Sequence, residues 1–242
     1  MKALVLAAGL GTRLRPITDT VPKCLLPIAG KPLLQYHLDS LSHYGVEEVL
    51  INAHYLSGQV EDFLKVYRQH HPNIKIRTVF EPELLGSAGT LRANENFFKD
   101  EEDFFIVYGD NLTNINYGKL LDFHKQRQGI ATIACYLEQN PKAKGVVSFD
   151  QNRQISGFKE KPQDHPGHPD YASGGVYILN KKVFGHIQHF QEKPLDFGSH
   201  LFPHFLALGL PMHVYLMNEF LLDIGTLENY NKAQEIIKQI KF

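Results

Sequence analysis

Blocks of apolar residues alternate with blocks of polar ones along this chain, and they predict strands and helices in turn. Residues 2–7 form an almost uninterrupted apolar run, the pattern of a strand buried on both faces. After Pro32, which a helix tolerates in its first turn, apolar residues recur at helical spacing until Gly45, a suitable C-cap. Further strands are predicted at residues 48–53, 74–80, 104–108, 130–137, 144–149, 154–159, 171–179, 212–217 and 220–222. Further helices are predicted after the N-caps Ser57 and Ser87, and at residues 119–128, 181–190, 199–208 and 227–240, the last capped by Thr226.

Strands that alternate with helices require crossover connections, and crossovers give a parallel sheet. The pattern therefore predicts an α/β fold with a Rossmann-like sheet, mixed but mainly parallel, that is flanked by helices. Residues 144–159 turn at Asp150 and Asn152, which predicts a small antiparallel hairpin inserted into this plan. Ligands of such sheets bind at the carboxyl ends of the strands, so candidate functional residues are sought where apolar runs end.

The first apolar run ends in a turn that contains Gly9 and Gly11, and three cations follow, Arg13, Arg15 and Lys23. Glycines let the backbone adopt positive φ and bring N–H groups close to an anion. This density of cations suits a polyphosphate rather than a single carboxylate. A dinucleotide motif is disfavoured because its third glycine position holds a leucine, and no G-K-[ST] of a P-loop occurs. The alternative is a tight turn with solvated arginines.

Asp110 follows the fourth predicted strand, directly after Gly109. A carboxylate at the end of an apolar strand is placed to project into the ligand crevice, and Mg²⁺ accepts hard oxygen ligands. Asp110 is therefore predicted to bind a metal ion. The alternative is an Asx-turn acid that caps the loop before the next helix.

Two segments give the chain a specific resemblance. Residues 6–16 (LAAGLGTRLRP) and 22–34 (PKCLLPIAGKPLL) resemble the signature of the sugar-1-phosphate nucleotidyltransferases, or sugar-nucleotide pyrophosphorylases. The resemblance implies the nucleotide-diphospho-sugar transferase fold, Mg²⁺ as the cofactor, and an NTP and a sugar 1-phosphate as partners. It implies that the nucleotide is bound by Ala7, Ala8, Gly9, Gly11, Thr12, Arg13, Glu81, Gly86, Ser87 and Ala88.

Later segments match the metal and sugar motifs of the same family. Residues 223–226 (DIGT) resemble its second metal-ligand motif, and residues 159–162 (KEKP) resemble its sugar-site motif. The resemblance implies that Asp223 joins Asp110 on the metal ion, and that these acids act with Arg13 and Lys23 in catalysis. It also implies that the sugar phosphate is bound by Gly145, Glu160, Lys161 and Gly175. On spacing alone, the charges at 159–161 are more typical of a solvated strand end.

Glu81, at the end of the third predicted strand, bears on the choice of nucleobase. A carboxylate only accepts hydrogen bonds, which suits the adjacent N–H donors on the Watson–Crick edge of guanine. Thymidylyl relatives tend to carry an amide at the matching place, so GTP is favoured. A uracil also offers one N–H, so uridylyl or thymidylyl transfer stays open. Residues 84–91 (LLGSAGTL) and 223–230 (DIGTLENY) resemble heptose- and mannose-1-phosphate guanylyltransferases most.

Composition limits the partners and the location. The chain has 242 residues, 43% of them hydrophobic, and a formal net charge of −1, so nothing favours nucleic acid or an anionic membrane. Two isolated cysteines, and an N-terminal run too short for a signal sequence, predict a cytoplasmic protein. One domain is predicted, with a nucleotide-binding part at about 1–110, a sugar-binding part at about 111–225 and a C-terminal helix at 226–242. Apolar surface on that helix leaves a homodimer open.

Residues 163–170 are rich in proline, glycine and histidine, and they contain His165 and His168. A mobile surface loop near the sugar is favoured over a metal site, because no helix-borne pair of histidines and no cysteine accompanies them.

The expected reaction is attack of a sugar 1-phosphate on the α-phosphorus of an NTP, with release of pyrophosphate. Such transfers need positioning and charge neutralisation rather than covalent chemistry from the protein. The alternative from another functional class is a non-catalytic regulatory subunit with the same fold. Such a subunit would be expected to lack Arg13, Lys23 or one of the aspartates, and all of them are present. A glycosyltransferase would carry D-x-D from Asp110, and Asn111 and Leu112 do not supply it.

Overall fold

A computed structural model describes residues 1–240 of the chain. Its strands are β1 (Lys2–Leu6), β2 (Pro27–Ile28), β3 (Lys31–Pro32), β4 (Glu48–Ala53), β5 (Lys75–Phe80), β6 (Asp103–Tyr108), β7 (Asn111–Thr113), β8 (Ala131–Glu138), β9 (Gly145–Phe149), β10 (Ile155–Glu160), β11 (Asp170–Asn180), β12 (Met212–Leu216) and β13 (Leu221–Asp223). Its α-helices are α1 (Leu33–His43), α2 (Ser57–His70), α3 (Ser87–Ala93), α4 (Glu95–Phe98), α5 (Tyr117–Arg127), α6 (Phe184–Ile187), α7 (Phe202–Ala207) and α8 (Leu227–Ile236).

The chain divides into two compact units. The first unit contains Met1–Leu84, Val107–Tyr117 and the chain from Glu219 onwards, and the second contains Leu85–Ile106 and Gly118–Asn218. The division into parts at about residues 110 and 225 stays a prediction.

The first unit is built on the parallel strands β1, β4 and β5, in that order. The apolar run of the sequence explains the position of β1, since Ala3, Leu4 and Val5 are fully buried. Helix α1 buries its apolar stripe, which includes Leu34 and Leu38, in the same unit. Two short antiparallel pairs, β2 with β3 and β7 with β13, complete the unit.

The second unit is built around the long strand β11. This strand pairs antiparallel with β8 and β9, while β12 pairs parallel with β8. Strands β9 and β10 form the predicted hairpin, and its turn is closed by Asp150 Oδ1, which accepts from the backbone N–H groups of Asn152 and Gln154 at 2.9 Å. Strand β6 contributes residues to both units. The prediction of a mixed, mainly parallel sheet flanked by helices is confirmed.

Several local predictions need correction. Ser57 is the first residue of α2, whose N-cap is Leu56, and no side chain caps that end. Ser87 likewise begins α3 after Gly86. The helix expected at 181–190 is only a 3₁₀ turn followed by α6, and strand β7 was not expected. Thr226 caps α8 as predicted, while residues 241–242 of the expected C-terminal helix lie outside the described residues.

Among the described residues, no helix combines the length and the apolar character needed to cross a bilayer.

Candidate active site

The glycine turn after β1 is closed by bonds to the Gly11 carbonyl. Gly11 has φ +66°, and its carbonyl accepts from Leu14 N at 2.9 Å and from Thr18 Oγ1 at 2.8 Å. A Cβ at Gly11 would lie 2.9 Å from Thr18 Cγ2, so only glycine fits without a shift. Gly9 is not in the left-handed region, and a Cβ there would meet nothing within 4 Å. A requirement for glycine at position 9 would therefore come from a ligand rather than from the backbone.

A hydrogen-bonded chain connects the start of this turn to Glu81. Ala7 N donates to Asn52 Oδ1 at 2.7 Å, and Asn52 Nδ2 donates to Glu81 Oε1 at 2.9 Å. Glu81 is 2% exposed. Its carboxylate therefore has a structural partner, and its use in base recognition stays a prediction. Asn52 was missed because a single asparagine at a strand end gives no sequence signal of its own.

The antiparallel pair β7–β13 brings Asp110 and Asp223 together, although they lie more than a hundred positions apart in sequence. Asp223 is the partner of Asn111 in this pair, and Ile224 N donates to the backbone carbonyl of Asp110 at 2.9 Å. The side chain of Asp110 is 39% exposed and that of Asp223 is 21% exposed. Both carboxylates are therefore held by backbone pairing, and both side chains are partly exposed, although Asp223 Oδ1 itself is buried.

Lys23 provides the cation between the two acids. Its Nζ lies 2.7 Å from Asp110 Oδ2 and 3.8 Å from Asp223 Oδ1. Lys23 is 8% exposed and belongs to a 3₁₀ turn, Lys23–Leu25. Its Cβ is 3.3 Å from the position that a Cβ on Gly11 would occupy, so the lysine also lies against the glycine turn.

Arg13 Nη2 and Asp223 Oδ1 both lie close to Gly225. A Cβ at Gly225 would lie 2.9 Å from Arg13 Nη2 and 2.9 Å from Asp223 Oδ1. A side chain at this position would therefore displace either the guanidinium or the carboxylate. The structure thus places Gly11, Arg13, Lys23, Asp110 and Asp223 near one another, and their catalytic and binding roles stay predictions.

The donor set fits a divalent cation. Asp110 and Asp223 offer hard carboxylate oxygens, which Mg²⁺ prefers, and both already contact one ammonium nitrogen. The Lys23 ammonium thus lies within ion-pair distance of both carboxylates, and a divalent cation held by them would compete with it.

His37 is buried behind the acids and was not predicted as a site residue. It is 2% exposed, and burial lowers its pKa to about 4, while the Asp110 charge and a backbone hydrogen bond to Asn111 act in the opposite direction. His37 is therefore neutral at pH 7. In the sequence, His37 stands among the apolar residues of α1, and this position could have indicated that the histidine is buried.

In the second unit, two glycines make room for the Glu160 carboxylate. A Cβ at Gly145 would lie 2.9 Å from Glu160 Oε2, and a Cβ at Gly198 would collide with the same oxygen. Burial raises the pKa of Glu160; Lys161 opposes this shift and Asp196 adds to it. Lys161 Nζ lies 3.7 Å from Glu160 Oε1 and its side chain is 64% exposed. Gly145, Glu160 and Lys161 therefore form one cluster.

Gly175 has φ +67° and lies where the pairing of β11 with β8 changes register. A β-bulge in β11 therefore explains why residue 175 is a glycine.

The loop before α3 is tied to residues that the sequence analysis did not identify. Ser87 N and Oγ both donate to Asp196 Oδ1 at 3.0 Å, and Ala88 N donates to Leu195 O at 2.9 Å. A Cβ at Gly86, with φ +82°, would collide with the Leu195 backbone. The close approach that Gly86 permits is therefore to Leu195, and the amides of Ser87 and Ala88 are engaged within the unit. Contact of Gly86, Ser87 and Ala88 with a nucleotide stays a prediction.

Comparison with known proteins identifies the family. Residues 2–240 match the family model described as nucleotidyl transferase, and the chain belongs to this family. The resemblance seen in the sequence is confirmed at this level.

Two curated relatives show how the family's named substrates vary. A UTP–glucose-1-phosphate uridylyltransferase of Synechocystis is 32% identical over 96% of the chain. The mannose-1-phosphate guanylyltransferase catalytic subunit beta of Dictyostelium discoideum is 33% identical over 95% of it. The chain spans 62% of the length of each of these relatives.

Solved structures agree on the fold. The structure of a putative glucose-1-phosphate thymidylyltransferase from Bacillus anthracis, in complex with a sucrose, superposes with a TM-score of 0.88 at 24% identity, covering 100% of this chain and 97% of that one. The structure of HddC from Yersinia pseudotuberculosis complexed with GMP-PN superposes with a TM-score of 0.79 at 24% identity, covering 98% of this chain and 99% of that one.

Proposed function

We propose that the protein transfers a nucleotidyl group from an NTP to a sugar 1-phosphate and releases pyrophosphate. The observation that carries this proposal is the convergence of Lys23, Asp110 and Asp223 beside the glycine turn. The family match over residues 2–240 supports it. Relatives named for glucose 1-phosphate and mannose 1-phosphate support a sugar 1-phosphate as the acceptor.

In this reaction an oxygen of the sugar 1-phosphate attacks the α-phosphorus of the NTP, and the bond to the β-phosphate oxygen breaks. The attacking phosphate is already ionised at neutral pH, so no general base is required. Catalysis then depends on holding the two phosphates in line and on neutralising their charge.

The residues of the first unit have complementary tasks in this mechanism. The glycine turn lies against the triphosphate, Lys23 neutralises the α-phosphate, and Arg13 pairs with the departing β- and γ-phosphates. Asp110 and Asp223 would hold Mg²⁺, which, when bound, neutralises charge on the phosphate oxygens.

The second unit is proposed to bind the sugar phosphate. Glu160, held in the slot between Gly145 and Gly198, accepts hydrogen bonds from sugar hydroxyls. The exposed ammonium of Lys161, close to this carboxylate, pairs with the phosphate. Gly175 shapes the adjoining strand through its bulge.

GTP is the favoured nucleotide. Glu81 offers a carboxylate acceptor for the guanine N–H groups, and a relative that is 33% identical is named a guanylyltransferase. UTP or dTTP is the alternative, supported by the relative named a uridylyltransferase. A cytoplasmic location and a homodimer complete the proposal.

The test is a screen of four NTPs against a panel of sugar 1-phosphates, with pyrophosphate release as the readout, in Mg²⁺ and in EDTA. Release should require both substrates and Mg²⁺, and GTP should give the highest rate. A higher rate with UTP or dTTP would reject the base assignment and keep the reaction. Absence of release with every pair would reject the reaction itself.

A further inference from the structure

The segment between β10 and β11, together with the first residue of β11, carries three side chains of metal-ligating types that nucleotidyl transfer does not use. His165, His168 and Asp170 each offer one ligand atom, and these atoms all lie within 4.8 Å of one another. The cluster lies entirely within the second unit. Two imidazoles and a carboxylate are a donor set for Zn²⁺ and unlike the all-oxygen sets that Mg²⁺ takes.

Two of the three ligand atoms already have the right separation. His165 Nε2 lies 3.4 Å from Asp170 Oδ2. Ligands at 2.0–2.1 Å from a tetrahedral zinc ion are about 3.3 Å apart. The side chain of His165 is 8% exposed and that of Asp170 is 34% exposed, so the pair is partly shielded from water.

Neighbouring groups orient the ligands. His168 Nδ1 lies 3.1 Å from the Pro169 carbonyl, a bond in which Nδ1 donates and Nε2 keeps its lone pair. Asp170 Oδ1 accepts from Tyr171 N at 2.7 Å, which leaves Oδ2 to face the histidines. Asp170 is also the first residue of β11, so one ligand is fixed on a regular element.

Metal binding at His165 would break two of its hydrogen bonds, the one to Asp170 and the one from Gly167. Gly167 N donates to Nδ1 at 3.1 Å, so the ring proton sits on Nε2 and points to Asp170. When Nε2 binds a metal ion, this proton moves to Nδ1 and the Gly167 amide must turn away. Gly167 is exposed, has φ +87° and has only the Lys142 side chain near its Cβ position, so the turn has room to do so.

We infer that His165, His168 and Asp170 bind one Zn²⁺ ion, with water in the fourth position. The ion would tie residues 161–169 to β11, and this segment directly follows Glu160. Its role would be to fix the chain next to the proposed sugar-phosphate residues rather than to take part in the transfer. The inference does not depend on the identity of the nucleotide or the sugar.

The experiment measures metal binding directly, on the full chain with any affinity tag removed. Zn²⁺ affinity is obtained by competition with a chromophoric chelator, and Co²⁺ reports the geometry through its visible absorption. Wild type should bind one Zn²⁺ tightly, besides weaker binding at the acid pair of the first unit, and show the intense bands of four-coordinate Co²⁺. His168→Ala should weaken Zn²⁺ binding at least about tenfold and remove these bands. The exposed position of His168 makes this variant safe for folding.

Three controls separate this site from others. His189→Ala removes an exposed histidine outside the cluster, and Asp164→Asn changes a carboxylate of the same loop that pairs with Lys159. Asp110→Asn alters the acids of the first unit. All three should keep the Zn²⁺ affinity and the Co²⁺ bands of wild type. A wild type that binds no Zn²⁺ tightly, or His168→Ala with unchanged affinity, would overturn the proposal and leave His165 and Asp170 as a hydrogen-bonded pair.

Discussion

Lys23 is the counter-ion of the acid pair. Its ammonium lies 2.7 Å from Asp110 Oδ2 and 3.8 Å from Asp223 Oδ1, in a position that is mostly buried. Two nearby carboxylates repel each other and a buried ammonium needs an anion, so the three charges stabilise one another. The same ammonium also competes with any divalent cation for the carboxylates.

This competition predicts that removing the Lys23 charge tightens metal binding while it abolishes turnover. In the nucleotide-free protein, Lys23→Met should bind Mn²⁺ at least about fivefold more tightly, because a like charge next to the cation is gone. Free Mn²⁺ can be measured by electron paramagnetic resonance. Lys65→Met, which changes an exposed lysine on α2, should bind Mn²⁺ as wild type does. Unchanged or weaker binding by Lys23→Met would contradict the shared cation position.

His37 makes stability depend on pH. Its pKa is lowered from 6.5 to about 4 by burial, so the unfolded chain takes up the proton first as the pH falls. Stability contributed by neutral His37 is therefore complete above about pH 6.5 and is lost towards pH 4. The loss is about 3 kcal/mol, since one pKa unit corresponds to about 1.4 kcal/mol.

Urea unfolding at a series of pH values measures this effect. Between pH 6.5 and 4 the stability of His37→Asn should fall less steeply than that of wild type. His70→Asn, at an exposed position on α2, should keep the wild-type slope. Equal slopes for His37→Asn and wild type would show that His37 does not titrate in this way.

Single residues could be predicted where a motif marks them and missed where only packing does. Lys23 and Asp223 were predicted because they stand in segments that resemble family motifs, and Asp110 was predicted because it ends an apolar strand. His37, Asn52 and the role of Gly225 were missed, because each acquires its importance from a neighbour that is distant in sequence.

At the scale of elements, the slot for Glu160 depends on the π-helical turn Phe197–Leu201 as well as on β9. A Cβ at Gly198 would collide with Glu160 Oε2 and lie 3.1 Å from the Phe158 ring. The carboxylate therefore has its position only while residue 198 is glycine.

Gly198→Ala is expected to displace Glu160 and to raise the KM for the sugar 1-phosphate several-fold, with little change in the KM for the nucleotide. Overpacking should also destabilise the fold by about 1–3 kcal/mol. The matched control is Gly185→Ala in α6, where a Cβ would meet nothing within 4 Å. If both KM values rise equally, or neither rises, Glu160 does not bind the sugar 1-phosphate.

Elements with a clear hydrophobic pattern were predictable from the sequence, and elements that depend on distant partners were not. Strands β1, β4 and β6 follow from apolar runs that are buried on both faces. Strand β7 has three residues, and it exists because β13 pairs with it from far along the chain. The segment 181–190 has helical spacing, yet only α6 and a 3₁₀ turn form there.

For the molecule as a whole, one apolar cluster supports the acid pair. Leu14, Leu26, Leu112 and Ile224 are fully buried in it, together with Ala233 of α8. Leu14 follows Arg13, Leu112 follows Asn111, and Ile224 follows Asp223. Burial of these neighbours therefore fixes the backbone that carries the charged residues, which connects the fold to the proposed chemistry.

The most direct test of nucleotidyl transfer at the acid pair is single-turnover pyrophosphate release by wild type and Asp223→Asn, with the substrates that the screen selects. Asp223→Asn keeps the shape of the side chain and should lower the rate at least about a hundredfold, because charge neutralisation at the phosphates is lost. Asp62→Asn, at an exposed position on α2, should react at the wild-type rate. A correctly folded Asp223→Asn variant that releases pyrophosphate as fast as wild type would contradict the proposed active site.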